Sequence, residues 1–577
     1  MRRRTVLRYL ALSGGAAAVP RPFLLRAQPS SVGRGVVSFN QCGYLPGSQK
    51  VASVQVENTA DRTFQIISER TGVSLFESRL TPSTVDAASG DRVSLAEFSA
   101  LSTPGSYRFV IQGTRSEPFI IRSDAYLNPL ALSIRSFYGQ RCGCAVDLGD
   151  GYHHALCHAD GAYHSSSGVS GPFGNHGGWH DAGDYGRYIV NSSITCGTLL
   201  WAWELYSPML SNLALHIPES GGKLPDYLAE VRWNLEWMLS LQDTDGGVWH
   251  KQTSEHFCGM IMPEEDRLTS YVIGTAGAPY KSTCATAGLS AVMAIAARCY
   301  STYDADFSSR CLTAAKHGWA WAVAHPGVAF VNPPGITTGA YADAHCSDEI
   351  LWASAELWRT TGDRQYEQAF LEGSKSLPPE RVIAAPSWAN VAPFAYWTYV
   401  LADRKPSAAL RMRILAQTET AGQALLKQRR SSGYGNTLSE TDYGWGSNSV
   451  AANQSLLLIL AQHLQADGEK VEAAFANLHY LLGRNCFGVS WVTHLGSAPF
   501  VHPHHRPSVA GHLPGPWPGL LSGGPNANPS DPVGKSLPKQ PPMRMWADDA
   551  AAYSLNEIAI NWNAPLVFLL AAANSAA

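Results

Sequence analysis

From Val36 to Arg122 the apolar positions come in short runs that alternate with turn residues. The runs are Val51 to Val56, Thr63 to Ile67, Ser74 to Phe76, Arg92 to Phe98, Gly105 to Ile111 and Pro118 to Ile121. Such regularly spaced runs predict strands and a separate β-sandwich of immunoglobulin-like size, spanning about 34–123. After Asn128 the period lengthens to that of a helix. Leu228, Val231, Leu235 and Met238 share one face, and Pro225 with Asp226 suits a helix start. Twelve such segments are expected, near 128–142, 189–206, 224–241, 283–302, 305–323, 346–361, 364–376, 386–402, 408–428, 448–465, 467–483 and 549–575. Twelve helices predict six hairpins closed into a ring, so the fold class is mainly α, an (α/α)6 barrel over 127–577 behind the sandwich. Two connections, Cys144 to Arg187 and Arg484 to Asp548, are long enough to be functional. Within the second, 513–542 is rich in Pro and Gly and is expected to be an ordered, irregular surface loop.

Composition narrows the function classes. The 577 residues are 45% hydrophobic and 15% charged, as in a soluble globular protein with a large core. A net charge of -3 and a pI of about 6.7 recruit neither nucleic acid nor an anionic membrane, so the substrate is expected to be uncharged. Seventeen tryptophans exceed what packing alone asks for, and indole faces are what sugar rings stack on. At the N-terminus Arg2, Arg3 and Arg4 precede a mostly apolar run to Val19, with Leu25-Arg26-Ala27 as a cleavage site. Residues 1–30 therefore predict an export signal of twin-arginine type, with a mitochondrial-type presequence as the rival, and a periplasmic or extracellular enzyme with no membrane anchor after processing. No other long apolar segment is expected except the final helix. The eleven cysteines are odd in number and show no scaffold spacing, so metal or core positions fit better than a disulfide framework.

The chemistry concentrates in Gly177-Gly178-Trp179-His180-Asp181-Ala182-Gly183-Asp184-Tyr185-Gly186-Arg187-Tyr188. Two carboxylates three residues apart, spaced by Ala and Gly and walled by aromatics, predict a tight turn that presents both acids at one spot and perturbs their titration. Far along the chain, Glu557 is the single charged side chain between Ala550 and Ala577, placed on the expected last helix among apolar neighbours. Burial there would keep it protonated and fit it to act as a general acid. A protonated acid facing an ionised base across one sugar is what inverting glycoside hydrolysis requires. Cys142, Cys157, His158 and His180 form a second constellation. Thiolate and imidazole are what zinc selects, four ligands would close a structural site beside Asp181, and Cys144 is the competing ligand.

Five stretches occur in one order: Gly177 to Tyr188; Asp442-Tyr443-Gly444-Trp445-Gly446-Ser447-Asn448; Tyr480-Leu481-Leu482-Gly483-Arg484-Asn485; His504-His505-Arg506; and Tyr553 to Ala564. Together they resemble glycoside hydrolase family 9. Asn40-Gln41-Cys42-Gly43-Tyr44-Leu45-Pro46 resembles the start of the immunoglobulin-like module that precedes the barrel in one branch of that family. The resemblance implies cleavage of β-1,4-glucosidic bonds with inversion. Asp184 would be the general base, Asp181 its partner in gripping water and Glu557 the general acid. His504 and Arg506 would hydrogen-bond the sugar, and Trp445 and Tyr553 would line the cleft. Zinc on the Cys/His set agrees with it, and calcium, frequent in the family, has candidate ligands in Asp243 with Asp245 and in Glu264, Glu265 and Asp266. The expected activity is that of an endoglucanase or cellodextrinase on soluble or amorphous β-glucan and cello-oligosaccharides. The rivals are an exo-acting β-glucosidase or glucosaminidase on the same fold, a catalytically dead sugar-binding protein, and a zinc hydrolase.

Overall fold

The computed structural model describes residues 37–55 and 63–576. The expected export signal at 1–30 lies outside the described residues.

The first domain is a two-sheet sandwich. One sheet orders Val37–Ser38, Val51–Gln55, Arg92–Glu97 and Thr84–Val85. The other orders Ser74–Arg79, Thr63–Ser68, Gly105–Ile111 and Thr114–Arg115, with Phe119–Ile121 also paired to Gly105–Ile111. Along Gly105–Ile111 the burial alternates so that Tyr107, Phe109 and Ile111 face inward, the period-two signature of a strand with one wet face. Phe39, Tyr44, Phe64, Phe98, Phe109 and Phe119 fill the space between the sheets.

The helical domain contains twelve helices of ten residues or more among the described residues: α1 Leu127–Gly139, α2 Ile189–Leu210, α3 Asp226–Ser240, α4 Thr283–Tyr300, α5 Ala305–Ala324, α6 Ser347–Thr361, α7 Arg364–Ser376, α8 Ala392–Leu401, α9 Ala408–Ser431, α10 Ser447–Leu464, α11 Gly468–Leu481 and α12 Ile560–Ser575. Even-numbered helices form the inner ring and odd-numbered ones the outer. The sequence explains the division. α4 and α12 are apolar on every side and buried almost throughout, whereas α9 buries only Leu410, Ile414, Thr418, Gly422 and Leu426, a single stripe. Contrary to expectation, α4 as well as α12 is a long apolar segment; it meets the length and hydropathy of a membrane span but is 94% buried in the barrel wall.

Three expectations need correction. The last helical segment is not continuous: a single turn, Tyr553–Asn556, is followed by extended backbone at Glu557 and then α12. Glu557 pairs with His504 and Ile558 with Ser522, so local strand-like bridges override helical propensity there. The stretch 513–542 is not wholly a surface loop, because Trp517, Leu520, Leu521 and Ser522 are buried and Leu521 N–H donates to Asn563 Oδ1 of α12 at 2.9 Å. Finally, Cys284 at the start of α4 and Cys346 just before α6 are joined in a disulfide, with Cα atoms 4.7 Å apart. The pairing links neighbouring inner helices across 62 residues, a separation that spacing alone does not reveal.

Much of the long 144–187 connection is also more regular than expected. Pro172–Gly174, Asp160–Tyr163, Ser270–Ile273, Lys251–Thr253 and Arg187–Tyr188 make a five-stranded sheet in that order. The last strand leads directly into α2, so this sheet sits at the N-terminal end of the inner ring and carries the acidic turn.

Candidate active site

The acidic turn is built by its glycines. A Cβ on Gly183 would lie 2.1 Å from the His504 carbonyl oxygen, and one on Gly186 would lie 2.5 Å from the Tyr188 hydroxyl. Only hydrogen fits at either point, so the turn presses against the 504 segment. Arg506 completes the clamp: its backbone N–H and its guanidinium both donate to Gly183 O, at 3.2 and 2.6 Å. From the other side Ile560 N–H donates to Asp181 O at 2.9 Å, and His504 N–H donates to Asn556 O at 2.9 Å. The turn, the 504 segment and the Glu557 segment are thereby tied into one site, which brings together acids 373 residues apart in the chain (557 − 184).

Both aspartates are buried. Asp181 accepts from Asn191 Nδ2 on Oδ1 and from the Tyr341 hydroxyl on Oδ2, each at 2.6 Å. Burial and the neighbouring Asp184 push its carboxyl up to about 8, against those two bonds. Asp184 receives Gly186 N–H at 3.0 Å and the Tyr188 hydroxyl at 3.2 Å, both on Oδ2. Glu557 is half-buried and is raised well above the usual carboxylate range, chiefly by burial and then by Asp184 and Asp181. The direction is the one a proton-bearing acid needs, and it arises on extended backbone instead of a helix.

Arg506 is almost fully committed to protein. Besides Gly183, the carbonyls of Cys258 and Gly259 take its Nε and Nη2 at 3.0–3.3 Å. His504 Nδ1–H donates to Ala550 O, 2.6 Å away, and burial lowers its pKa, which favours the neutral ring. Tyr553 lies 5.8 Å from the His504 ring and 5.7 Å from that of Trp445, which is 51% exposed. Trp445, Tyr553 and His504 form one row of rings, and Arg506 is bonded to Gly183 of the acidic turn. Tyr341 and Trp388, whose ring meets Tyr341 edge-on at 5.4 Å, complete the wall, while Asn191 and Tyr188 are buried behind the aspartates. Tyr341 gave no sequence signal because it sits on an irregular segment 160 residues from Asp181.

Cys142, Cys157, His158 and His180 converge, with one donor atom from each within 4.8 Å of all the others. A tetrahedral zinc with bonds of about 2.0–2.3 Å sets donors about 3.5–3.8 Å apart, and Cys157 Sγ is 3.9 Å from His180 Nε2. His158 Nδ1 is buried with no hydrogen-bond partner, while its Nε2 is held by Asp266 at 3.3 Å, the arrangement of a ligating imidazole oriented by a carboxylate. Burial opposes ionisation of Cys142, but Cys157, Arg187, His180 and His158 together pull its thiol well below the ordinary value. The donor set fits a metal ion. Cys144 lies outside it.

Four of the five expected calcium ligands are otherwise engaged, while Glu264 Oε2 is buried with no hydrogen-bond partner among the described residues. Lys281 Nζ sits 2.6 Å from Asp243 and 3.6 Å from Asp245, so an ammonium already neutralises that pair. Asp266 orients His158, and Glu265 closes onto Met262 N–H at 3.0 Å. A different acidic cluster went unread in the sequence: Asp343, Asp348 and Glu349, at the start of α6. Glu349 is 3% exposed and its carboxyl group faces that of Asp348, while Asp343 Oδ2 is buried with no hydrogen-bond partner among the described residues. Burial first, then Asp348 and Asp343, hold Glu349 well above the carboxylate range.

The sequence pattern of glycosyl hydrolase family 9 matches residues 126–570, and that of the cellulase N-terminal Ig-like domain matches 34–116. The chain belongs to glycosyl hydrolase family 9. Endoglucanase D of Acetivibrio thermocellus is 33% identical over 543 residues, covering 93% of this chain and 83% of that protein. Among solved structures, a metagenome-derived family 9 endoglucanase superimposes with a TM-score of 0.86 at 36% identity, over 94% of this chain and 99% of that one. A zinc-binding triple mutant of the family 9 endoglucanase J30 gives the same TM-score at 33% identity, over 92% and 99% of the two chains. This family 9 chain is thus an inverting glycoside hydrolase on an (α/α)6 barrel with an immunoglobulin-like domain in front.

Proposed function

We propose that the enzyme cuts β-1,4-glucosidic bonds within cellulose-type β-glucans and cello-oligosaccharides. The convergence of the Asp181–Asp184 turn with a protonated Glu557 carries this reading. Asp184 acts as general base and Asp181 as its partner in holding water. Among the described residues Asp184 Oδ1 accepts no hydrogen bond, which leaves a lone pair for that water. The water oxygen attacks the anomeric carbon and gives its proton to Asp184, while the glycosidic C–O bond breaks and its oxygen takes the proton of Glu557. Three of the five guanidinium N–H groups of Arg506 serve carbonyls, so two remain for a sugar hydroxyl beside His504. Trp445 and Tyr553 supply the stacking faces.

Cys142, Cys157, His158 and His180 would hold a structural zinc that neutralises the thiolates and fixes the residue before Asp181. Asp343, Asp348 and Glu349 suit a hard cation such as calcium, whose charge would offset the like charges that Asp348 and Asp343 place beside Glu349. Titrating calcium into zinc-loaded enzyme should raise the melting temperature, by about 2.7 kcal/mol of stability at a hundredfold excess over Kd, and Glu349→Gln should abolish the rise. The arginine-led apolar N-terminus supports export to the periplasm or medium.

Carboxymethyl-cellulose, lichenan and cellobiose, followed by NMR of the product anomers, test the activity. The α-anomer should appear first, with viscosity falling ahead of reducing-end release. A first-formed β-anomer would refute inversion, and release of monomer alone from one chain end would refute endo action.

A further inference from the structure

Lys251 is wholly buried, yet the acid–base chemistry above does not use it. Its ammonium donates to four neutral oxygens: Gly339 O at 2.7 Å, Asn332 Oδ1 at 2.8 Å, Thr338 Oγ1 at 3.0 Å and Thr338 O at 3.4 Å. A buried cation without a bonded carboxylate is costly, which asks what the charge is for. Two connections answer. Lys251 is the strand partner of Tyr188, its Nζ stands 5.6 Å from the centre of the Tyr188 ring, and the Tyr188 hydroxyl donates to Asp184 Oδ2. A cation over the ring draws electron density from the phenol and strengthens its O–H as a donor. The same ammonium grips the backbone and side chain at Thr338 and Gly339, two residues ahead of Tyr341, whose hydroxyl donates to Asp181. Neighbouring His250 adds a hydrogen bond to Ala340 O at 2.8 Å.

We propose that Lys251 is a positioning residue for the aspartate pair: its buried charge acts on Asp184 through Tyr188 and holds Tyr341 against Asp181 through the 338–341 backbone. The inference rests on the reading of Asp184 as the base. Burial drags Lys251 down to about 7, and Asp184 is the group that pushes it back up. Below that pH the lysine is charged, in the range where a carboxylate base gains or loses its proton. The other groups around Asp184 are Asp181 on its own turn, Glu557 and His504 on the C-terminal segments, and Arg506 over Gly183.

The test is the pH profile of kcat/KM on a cello-oligosaccharide for Lys251→Met, Tyr188→Phe and the double variant, with Asp184→Asn as control. Loss of an opposite charge in Lys251→Met, or of a hydrogen bond donated to the carboxylate in Tyr188→Phe, favours the protonated carboxyl, so the acid limb should move up by about one pH unit in each single variant. KM should stay within about twofold, because neither residue touches substrate. The double variant should shift the limb no further than Lys251→Met alone, since Tyr188 is the route by which the lysine reaches Asp184. A lowered melting temperature with the acid limb unmoved in both single variants overturns the inference. If Lys251→Met does not fold, the Tyr188→Phe profile decides. Full activity in Asp184→Asn refutes the base assignment itself and is distinct from an unmoved limb in an enzyme that Asp184→Asn inactivates.

Discussion

Glu557→Gln should lower kcat on cello-oligosaccharides by about 10²–10⁴-fold, the range that a positioned general acid contributes, with KM little changed. An activated aryl cellobioside, whose leaving group departs without a proton, should lose far less. Equal losses on the two substrates would remove Glu557 from the role of acid. The same variant should be more stable than the parent above neutral pH. The sign follows from the raised carboxyl. Between the unfolded value of about 4.3 and its higher native value, Glu557 keeps a proton that the unfolded chain has released, so stability falls as pH rises. Glutamine has no such proton, so the melting curves of the two proteins should diverge with increasing pH and converge below about pH 4. Parallel curves would mean that Glu557 is ionised in the folded enzyme.

Much of this architecture was legible because one physical signal governed it. The inner and outer helices differ in how many of their sides meet other helices, and period-3.6 patterning reports that directly. The catalytic turn was legible because its glycines and acids are contiguous. What escaped the sequence was long-range. Tyr341 reaches Asp181 only because Lys251 and His250 hold its segment, and the Cys284–Cys346 link joins two helix starts that touch only in the closed ring. Asp243 and Asp245 looked like cation ligands, and they are, but the cation is Lys281. The break at Glu557 escaped because bridges to His504 and Ser522, not local propensity, decide the backbone there.

The second large effect concerns the Cys/His cluster. Metal analysis of the purified enzyme should find about one zinc per chain, and Cys142→Ser should reduce it to a small fraction. Zinc at a structural site contributes its binding free energy to folding, so the variant should melt well below the parent, with hydrolysis lost as the fold is lost. The reason activity follows is geometric: His180 precedes Asp181, and the Gln140 carbonyl receives His180 N–H at 2.6 Å while the Gln140 amide donates to the carbonyls of His180 and Ala182. Freeing His180 frees the turn that the glycines and Arg506 compress. Asp266→Ala makes a milder version, since Asp266 meets the cluster at the far nitrogen of His158, and it should weaken zinc by about 10–100-fold while leaving all four ligands in place. Added zinc should then restore both melting temperature and rate. Were the metal instead catalytic, chelation would stop turnover at once in a protein still fully folded. Four protein donors leave no open position for water, so the expected order is slow metal loss, loosening of the turn, and only then loss of rate.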